Sequence, residues 1–105
     1  MDTNSLQELQ MIEQNLQSLI YQKQVFQMEL SESSTALKEV EKSGEEVFKI
    51  IGQLMIKTDK SSVKEELEKK QKLLGLRVKS LEKQEVDLTK SAEEIRKKVM
   101  QLKEK

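Results

Sequence analysis

At 105 residues the chain has room for one domain at most, and its 19 basic residues balance 19 acidic ones. It contains no cysteine and no histidine, which excludes disulfides and thiol chemistry and removes both the usual general base near neutral pH and the commonest zinc ligand. No like-charge run reaches five or six residues, no apolar run approaches a membrane span, and residues 1–10 lack the basic-then-apolar pattern of a signal peptide.

Charged residues make up 36% of the chain and hydrophobic ones 35%, proline is absent, and Tyr21, Phe26 and Phe48 are the only aromatics. A composition rich in Glu, Lys, Leu and Gln points to long helices rather than a compact globule. Few aromatics among many charges also suit a disordered chain, but sustained periodicity argues against disorder here.

The first helix is expected over residues 5–43. Ser5 followed by Glu8 is a candidate capping box, in which each side chain satisfies a free backbone N–H. Leu9, Ile12, Leu16, Leu19, Phe26, Leu30, Leu37 and Val40 then recur at spacings of three and four, the seam of a coiled coil, with Lys23 and Ser33 as polar interruptions. Ser43-Gly44 is a plausible end, since glycine tolerates the left-handed conformation beyond a helix terminus.

A β-hairpin is expected over residues 46–58. Val47-Phe48-Lys49-Ile50-Ile51 and Leu54-Met55-Ile56-Lys57-Thr58 break the heptad rhythm and are rich in strand-forming types. Gly52-Gln53 suits a type II′ turn, whose first central position wants glycine. Alternation leaves both faces apolar, with Val47 and Ile51 pointing one way and Phe48 and Ile50 the other. Val47, Phe48, Ile50, Ile51, Leu54, Met55 and Ile56 would each contribute roughly 1.5–3 kcal/mol if buried, and an isolated hairpin is marginal in water. These seven are the candidate oligomerisation residues: exposed, they would form an aggregating edge, and pairing with hairpins of other chains in a shared sheet or barrel removes it. The competing reading is that they cap the end of their own coiled coil.

The second helix is expected over residues 62–104, with Ser62 and Glu65 as a second candidate capping box. Leu67, Leu74, Leu81, Leu88, Ile95 and Leu102 fall at every seventh position, the strongest periodic signal in the chain. Val78, Ala92 and Val99 supply the companion seam, with Gln71 and Glu85 as polar breaks. Gly75 either permits close helix approach or is a neutral feature costing about 1 kcal/mol relative to alanine. The Lys69-Lys70 and Lys97-Lys98 pairs read as solvated helix faces.

Joined by a tight reversal, the two seams are expected to zip as an antiparallel pair. Two registers give regular layers. The preferred one sets Leu9 against Ile95, Phe26 against Val78, Ser33 against Gln71, and Lys23 near Glu82 and Glu85. The other, one heptad away, sets Leu9 against Leu102 and Phe26 against Glu85. No enzyme is expected. Carboxylate catalysis needs a concave, partly dry site, a helical hairpin offers little concavity, and the three isolated glycines match no phosphate loop. No cofactor, metal, nucleic acid or membrane is expected, and any activity should be independent of bound nucleotide.

The order helix, Val-Phe-Lys-Ile-Ile-Gly (47–52), Leu-Met-Ile-Lys (54–57), helix resembles the beta class of the prefoldin family. Three stretches carry the likeness: Gln22-Lys23-Gln24 with Glu29-Leu30, the single-glycine hairpin ending on Lys57, and Leu76-Arg77 through Leu81-Glu82-Lys83-Gln84-Glu85. The resemblance spans nearly the whole chain. It resembles the archaeal beta subunits more than eukaryotic paralogues, though the sequence stops at Lys105 without the longer C-terminal tail of some members. The resemblance implies a single beta-type domain over residues 1–105 in a hexamer of two alpha and four beta subunits, whose hairpins join an intersubunit double β-barrel. It implies a cytoplasmic, ATP-independent chaperone whose arm tips grip unfolded client proteins and pass them to a group II chaperonin.

Helices that reverse in the middle bring both chain ends to the tip farthest from the hairpin. Leu6, Leu9, Met11, Ile12 and Leu16, with Ile95, Val99, Met100 and Leu102, are therefore the candidate client-binding residues. Fraying exposes seam side chains, and flexible methionines off the seam suit varied partners. The bland alternative is ordinary coiled-coil core with scattered surface methionine. At the level of the whole protein the alternative function is a structural coiled-coil adaptor that oligomerises through its hairpin without binding clients.

Overall fold

The computed structural model describes residues 3–104, with side-chain environments for residues 4–101. The element order is α1 (Thr3–Lys42), β1 (Glu46–Ile51), β2 (Leu54–Asp59) and α2 (Lys60–Glu104). Helix, hairpin, helix is therefore the architecture expected of the sequence. Two compact units divide the chain, one drawing on the segments before Phe26 and after Arg77, the other holding Phe26–Arg77.

In the first unit the two helical segments run antiparallel. Glu13 pairs with Arg96 at 3.1 Å and Lys23 with Glu85 at 2.7 Å, so partner numbers fall on α2 as they rise on α1. Leu19, Leu81 and Ala92 are buried between them, and Leu9, Ile12, Leu16, Leu88, Ile95 and Val99 are half-buried along the same seam. Lys23 takes a seam position that an apolar residue would otherwise fill. A hydrogen bond to Glu85 raises its pKa above the usual lysine value; the Glu85 and Glu82 charges also raise it, and burial opposes them. The interruption is thus a partnered ion pair rather than an unpaired buried charge, the form in which such groups are tolerated in a seam.

In the second unit the same antiparallel sense continues. Lys64 lies 3.9 Å from Glu41, the Gln71 amide donates to Ser34 Oγ at 2.8 Å, and the Arg77 guanidinium lies 5.5 Å from the centre of the Phe26 ring. These contacts, with Lys23–Glu85, follow the preferred register. The slipped alternative would set Phe26 against Glu85 rather than beside Arg77, and Gln71 against Val40 rather than beside Ser34. One detail differs from expectation. Gln71 pairs with Ser34, not Ser33, because Ser33 is turned inward and buried while Ser34 sits on the flank within reach of the longer amide.

Both helix starts differ from the capping boxes read in the sequence. Helix α1 is already helical at Thr3, so Ser5 lies inside it rather than before it. For α2 the cap is Asp59, whose Oδ1 accepts the backbone N–H of Ser62 at 3.0 Å. Ser62 is the third helical residue and supplies the donor, and the start falls at Lys60 because Asp59 satisfies that orphan N–H. The Ser62 hydroxyl, and then its backbone N–H, hold the Asp59 carboxyl below its ordinary value of 3.8.

The end of α1 also departs from a glycine cap. The only positive φ among the described residues belongs to Gly52, so Gly44 does not adopt the left-handed conformation. Instead the Ser43 hydroxyl donates to the Val40 carbonyl at 2.7 Å, and the Lys60 ammonium donates to the carbonyls of Glu41 at 2.9 Å and Ser43 at 3.1 Å. A cation there complements the negative end of the helix dipole as well as the orphan carbonyls.

Gly75 has no packing reason to be glycine, since a Cβ built on it meets nothing within 4 Å. Gly75→Ala should therefore stabilise the fold by about 1 kcal/mol, by raising helix propensity without strain; urea unfolding followed by circular dichroism measures it. The depressed Asp59 carboxyl contributes stability that is fully present above its ordinary value and is lost as pH falls through the lower folded value. Asp59→Asn, which keeps a capping oxygen but cannot titrate, should flatten the acid limb of the stability profile; thermal unfolding across an acid pH series reads the difference.

Candidate functional site

The hairpin gathers most of the exposed large apolar side chains of the second unit. Its antiparallel register pairs Val47 with Thr58, Phe48 with Lys57, Lys49 with Ile56, Ile50 with Met55 and Ile51 with Leu54. Gly52 opens the turn with φ of 61°, and Gln53 is not left-handed, which selects the type II′ turn over type I′. Since side chains alternate along a strand, Val47, Lys49, Ile51, Leu54 and Ile56 share one face, and Phe48, Ile50, Met55 and Lys57 share the other.

Neither face is covered within the chain. Phe48 is 60% exposed, Ile50 71% and Met55 67%, and Ile51, Leu54 and Ile56 are exposed as well. Only Val47 among the seven candidate oligomerisation residues is half-buried. On the Val47 face Lys49 reaches across to an ion pair with Glu66 of α2. A shallow groove of about 240 Å³ lies between β1 and the start of α2, lined by Phe48, Lys49, Val63, Glu66, Leu67 and Lys70. On the other face Lys57 pairs with Glu46 at 2.9 Å, an exposed bond that adds little stability.

The candidate client-binding residues lie in the first unit, on α1 before Phe26 and on α2 after Arg77. Leu6, Leu9, Ile12 and Leu16 on α1 and Ile95 and Val99 on α2 are half-buried, whereas Met11 and Met100 are well exposed. The seam residues and the methionines thus occupy different surfaces. Leu102 has its side chain outside the described residues. Among the described residues no carboxylate cluster is arranged to hold a metal ion, and no helix is long and apolar enough to cross a membrane.

Two features escaped sequence reasoning. Asp59 and Lys60 organise the junction between helices and hairpin, and the signal was an Asp-Lys pair at the helix start, masked by the more familiar Ser-x-x-Glu pattern two residues on. Exposed Ile20, Tyr21, Val25, Met28, Leu73, Leu76 and Val86 were also missed, because attention to the main seam hides apolar residues off it.

A family model of the prefoldin subunit matches residues 3–105. The chain belongs to the prefoldin family. The prefoldin subunit beta of Thermococcus onnurineus is 41% identical to it over 96 residues, covering 90% of this chain and 83% of that one. That of Sulfurisphaera tokodaii is 37% identical over 99 residues, covering 92% and 79%. The crystal structure of the prefoldin beta subunit from Thermococcus strain KS-1 superposes with a TM-score of 0.87 at 34% identity, covering 94% of this chain and 89% of that one. The beta-class resemblance read in the hairpin and its flanking arms therefore holds across the chain. A prefoldin subunit is a chaperone component rather than an enzyme, and it assembles with other prefoldin subunits.

The exposed apolar residues on both hairpin faces can be tested as a place where subunits meet. Ile50→Asp together with Ile56→Asp places a charge on each face, where a shared apolar interface would have to desolvate it. Assembly should be lost while the helices remain, and sedimentation velocity reporting an unchanged complex would refute the assignment.

Proposed function

We propose that the chain is one subunit of an ATP-independent holding chaperone, a hexamer of two alpha and four beta subunits that keeps unfolded proteins from aggregating and passes them to a group II chaperonin in the cytoplasm. The observation that carries this reading is the hairpin, with six large apolar side chains exposed over both faces of one two-stranded sheet. A barrel shared by several hairpins encloses one face and removes the unpaired strand edges, and contact with neighbouring subunits covers the other face. Membership of the prefoldin family and the close fit to a beta subunit support the same subunit role.

In this reading clients are held at the arm tips by the first turns of α1 and the last turns of α2. Fraying there presents Leu6, Leu9, Ile12, Leu16, Ile95, Val99 and Leu102, and exposed Met11 and Met100 extend the apolar surface with side chains that adapt to varied partners. Each contact is weak. Several arms acting on one client raise its effective concentration at the next arm, so a modest site on each suffices. Nothing in such holding consumes nucleotide, and release follows from competition by the next chaperone.

Removing residues 1–12 and 95–105 together should leave the assembled complex intact and weaken client holding. Light scattering of an unfolded protein diluted from denaturant measures this. Equal suppression of aggregation by trimmed and full-length complexes would remove the tips from the mechanism, and no suppression by either would favour a structural adaptor.

A further inference from the structure

The two helices carry opposite charge over the same stretch. Between Lys23 and Lys38 α1 has Glu29 and Glu32 and no basic residue, whereas between Glu68 and Glu82 α2 has Lys69, Lys70, Lys72, Arg77 and Lys79 and no acid. Large apolar side chains accompany both charges: Met28 on α1 and Leu73 and Leu76 on α2 are each more than half exposed. Glu32 and Lys72 are exposed as well, and neither enters an ion pair among the described residues.

These side chains point away from the chain's own seam. A step of two residues turns a helical side chain by about 200°, and Met28 and Leu76 stand two residues beyond half-buried Phe26 and buried Leu74. Glu32 and Lys72 lie four residues from Met28 and Leu76, on the same outer faces. The register that sets Gln71 beside Ser34 and Arg77 beside Phe26 puts Met28 level with Leu76 and Glu32 level with Lys72. The levels match but the faces are opposed, so they cannot meet within one chain. A second copy standing beside the first and pointing the same way brings α1 of one against α2 of the other, running antiparallel. Met28 then meets Leu76 and Leu73, and Glu32 meets Lys72. A copy pointing the opposite way, matched at Met28 and Leu76, would set Glu32 against Ser80 and Lys72 against Gln24, and the ion pair would be lost.

We propose that these faces are a contact between neighbouring copies of this chain, with α1 of one arm lying on α2 of the next. The proposal rests on the shared hairpin platform inferred above, which holds subunits side by side and gives their arms a common direction. The contact is heterologous, so an arm offers one face to each neighbour. Three apolar side chains and one exposed ion pair fall well short of a stable interface between free chains. On one platform the arms meet at high effective concentration, and the contact forms and opens reversibly.

The chain has no cysteine, so introduced pairs report proximity without background. The assembled complex is prepared with Met28→Cys and Leu76→Cys together, oxidised mildly, and run on denaturing gels without reductant. Gln27→Cys with Leu76→Cys, exposed on a different flank of α1, measures chance collision. Native mass and circular dichroism check assembly and helix content. Linked chains should form severalfold faster with the Met28 position than with the Gln27 position. Adding Glu32→Lys or Lys72→Glu to the first pair should slow linkage about threefold, as expected for one exposed ion pair lost, and the two charge changes together should restore it. Equal rates for the two cysteine pairs in an intact complex overturn the arm contact and leave the platform standing. Linkage indifferent to the charge changes overturns it too, since apolar collision would then suffice. A native mass of single chains for the cysteine-free parent overturns the platform and the arm contact together.

Discussion

A two-stranded sheet has two faces, and in this chain both are apolar. That constraint organises the rest of the molecule. Val47 and Lys49 begin to rest on the chain's own helix beside Glu66, but most of the apolar side chains on both faces stay exposed. Six large apolar side chains therefore stay exposed on one small sheet, where other subunits could cover them. The type II′ turn at Gly52 keeps the loop at two residues and fixes the register that distributes Ile50 and Ile56 to opposite faces.

The helices solve a different problem. Their interface is a narrow seam in which Leu19, Ser33, Leu74, Leu81 and Ala92 are the buried residues among those described. A seam of leucines alone fits itself equally well one heptad along. Gln71 meets Ser34 in the observed alignment and would face Val40 one heptad along, so a polar pair that weakens the apolar seam favours one register. Pairing of this kind contributes specificity more than stability.

Much of this was legible in the sequence. The leucines at every seventh position from Leu67, the apolar run 47–51 and the lone glycine before Gln53 dictate elements and order, because each pattern has one geometric solution. Register was legible too, since charge must find charge across the seam. Helix ends were not. Several residues near positions 59–65 can accept or donate at a terminus, and which one does depends on where the preceding strand delivers the chain: here β2 runs straight into Asp59 and places its carboxylate over the first turn. The Gly44 cap failed for a related reason, because a lysine from the other helix supplies the hydrogen bonds that a left-handed glycine would have arranged. Surfaces were least legible. The shallow groove lined by Asn15, Ser18, Leu19 and Gln22 of α1 and by Gln84 and Leu88 of α2 joins residues more than 60 positions apart in sequence and becomes visible only when the helices are placed side by side.

The junction around Lys60 has a mechanical meaning. Its ammonium holds two carbonyls at the end of α1, its backbone N–H donates to the Glu45 carbonyl at 3.1 Å, and one turn later Lys64 approaches Glu41. The outgoing and returning chains are thus cross-braced where each enters the sheet. Tension applied to either helix is shared with the other before it reaches the strands, and bonds loaded side by side must yield together rather than one after another. A pull on one helix is thus resisted by both at their root, rather than unzipping the hairpin one bond at a time.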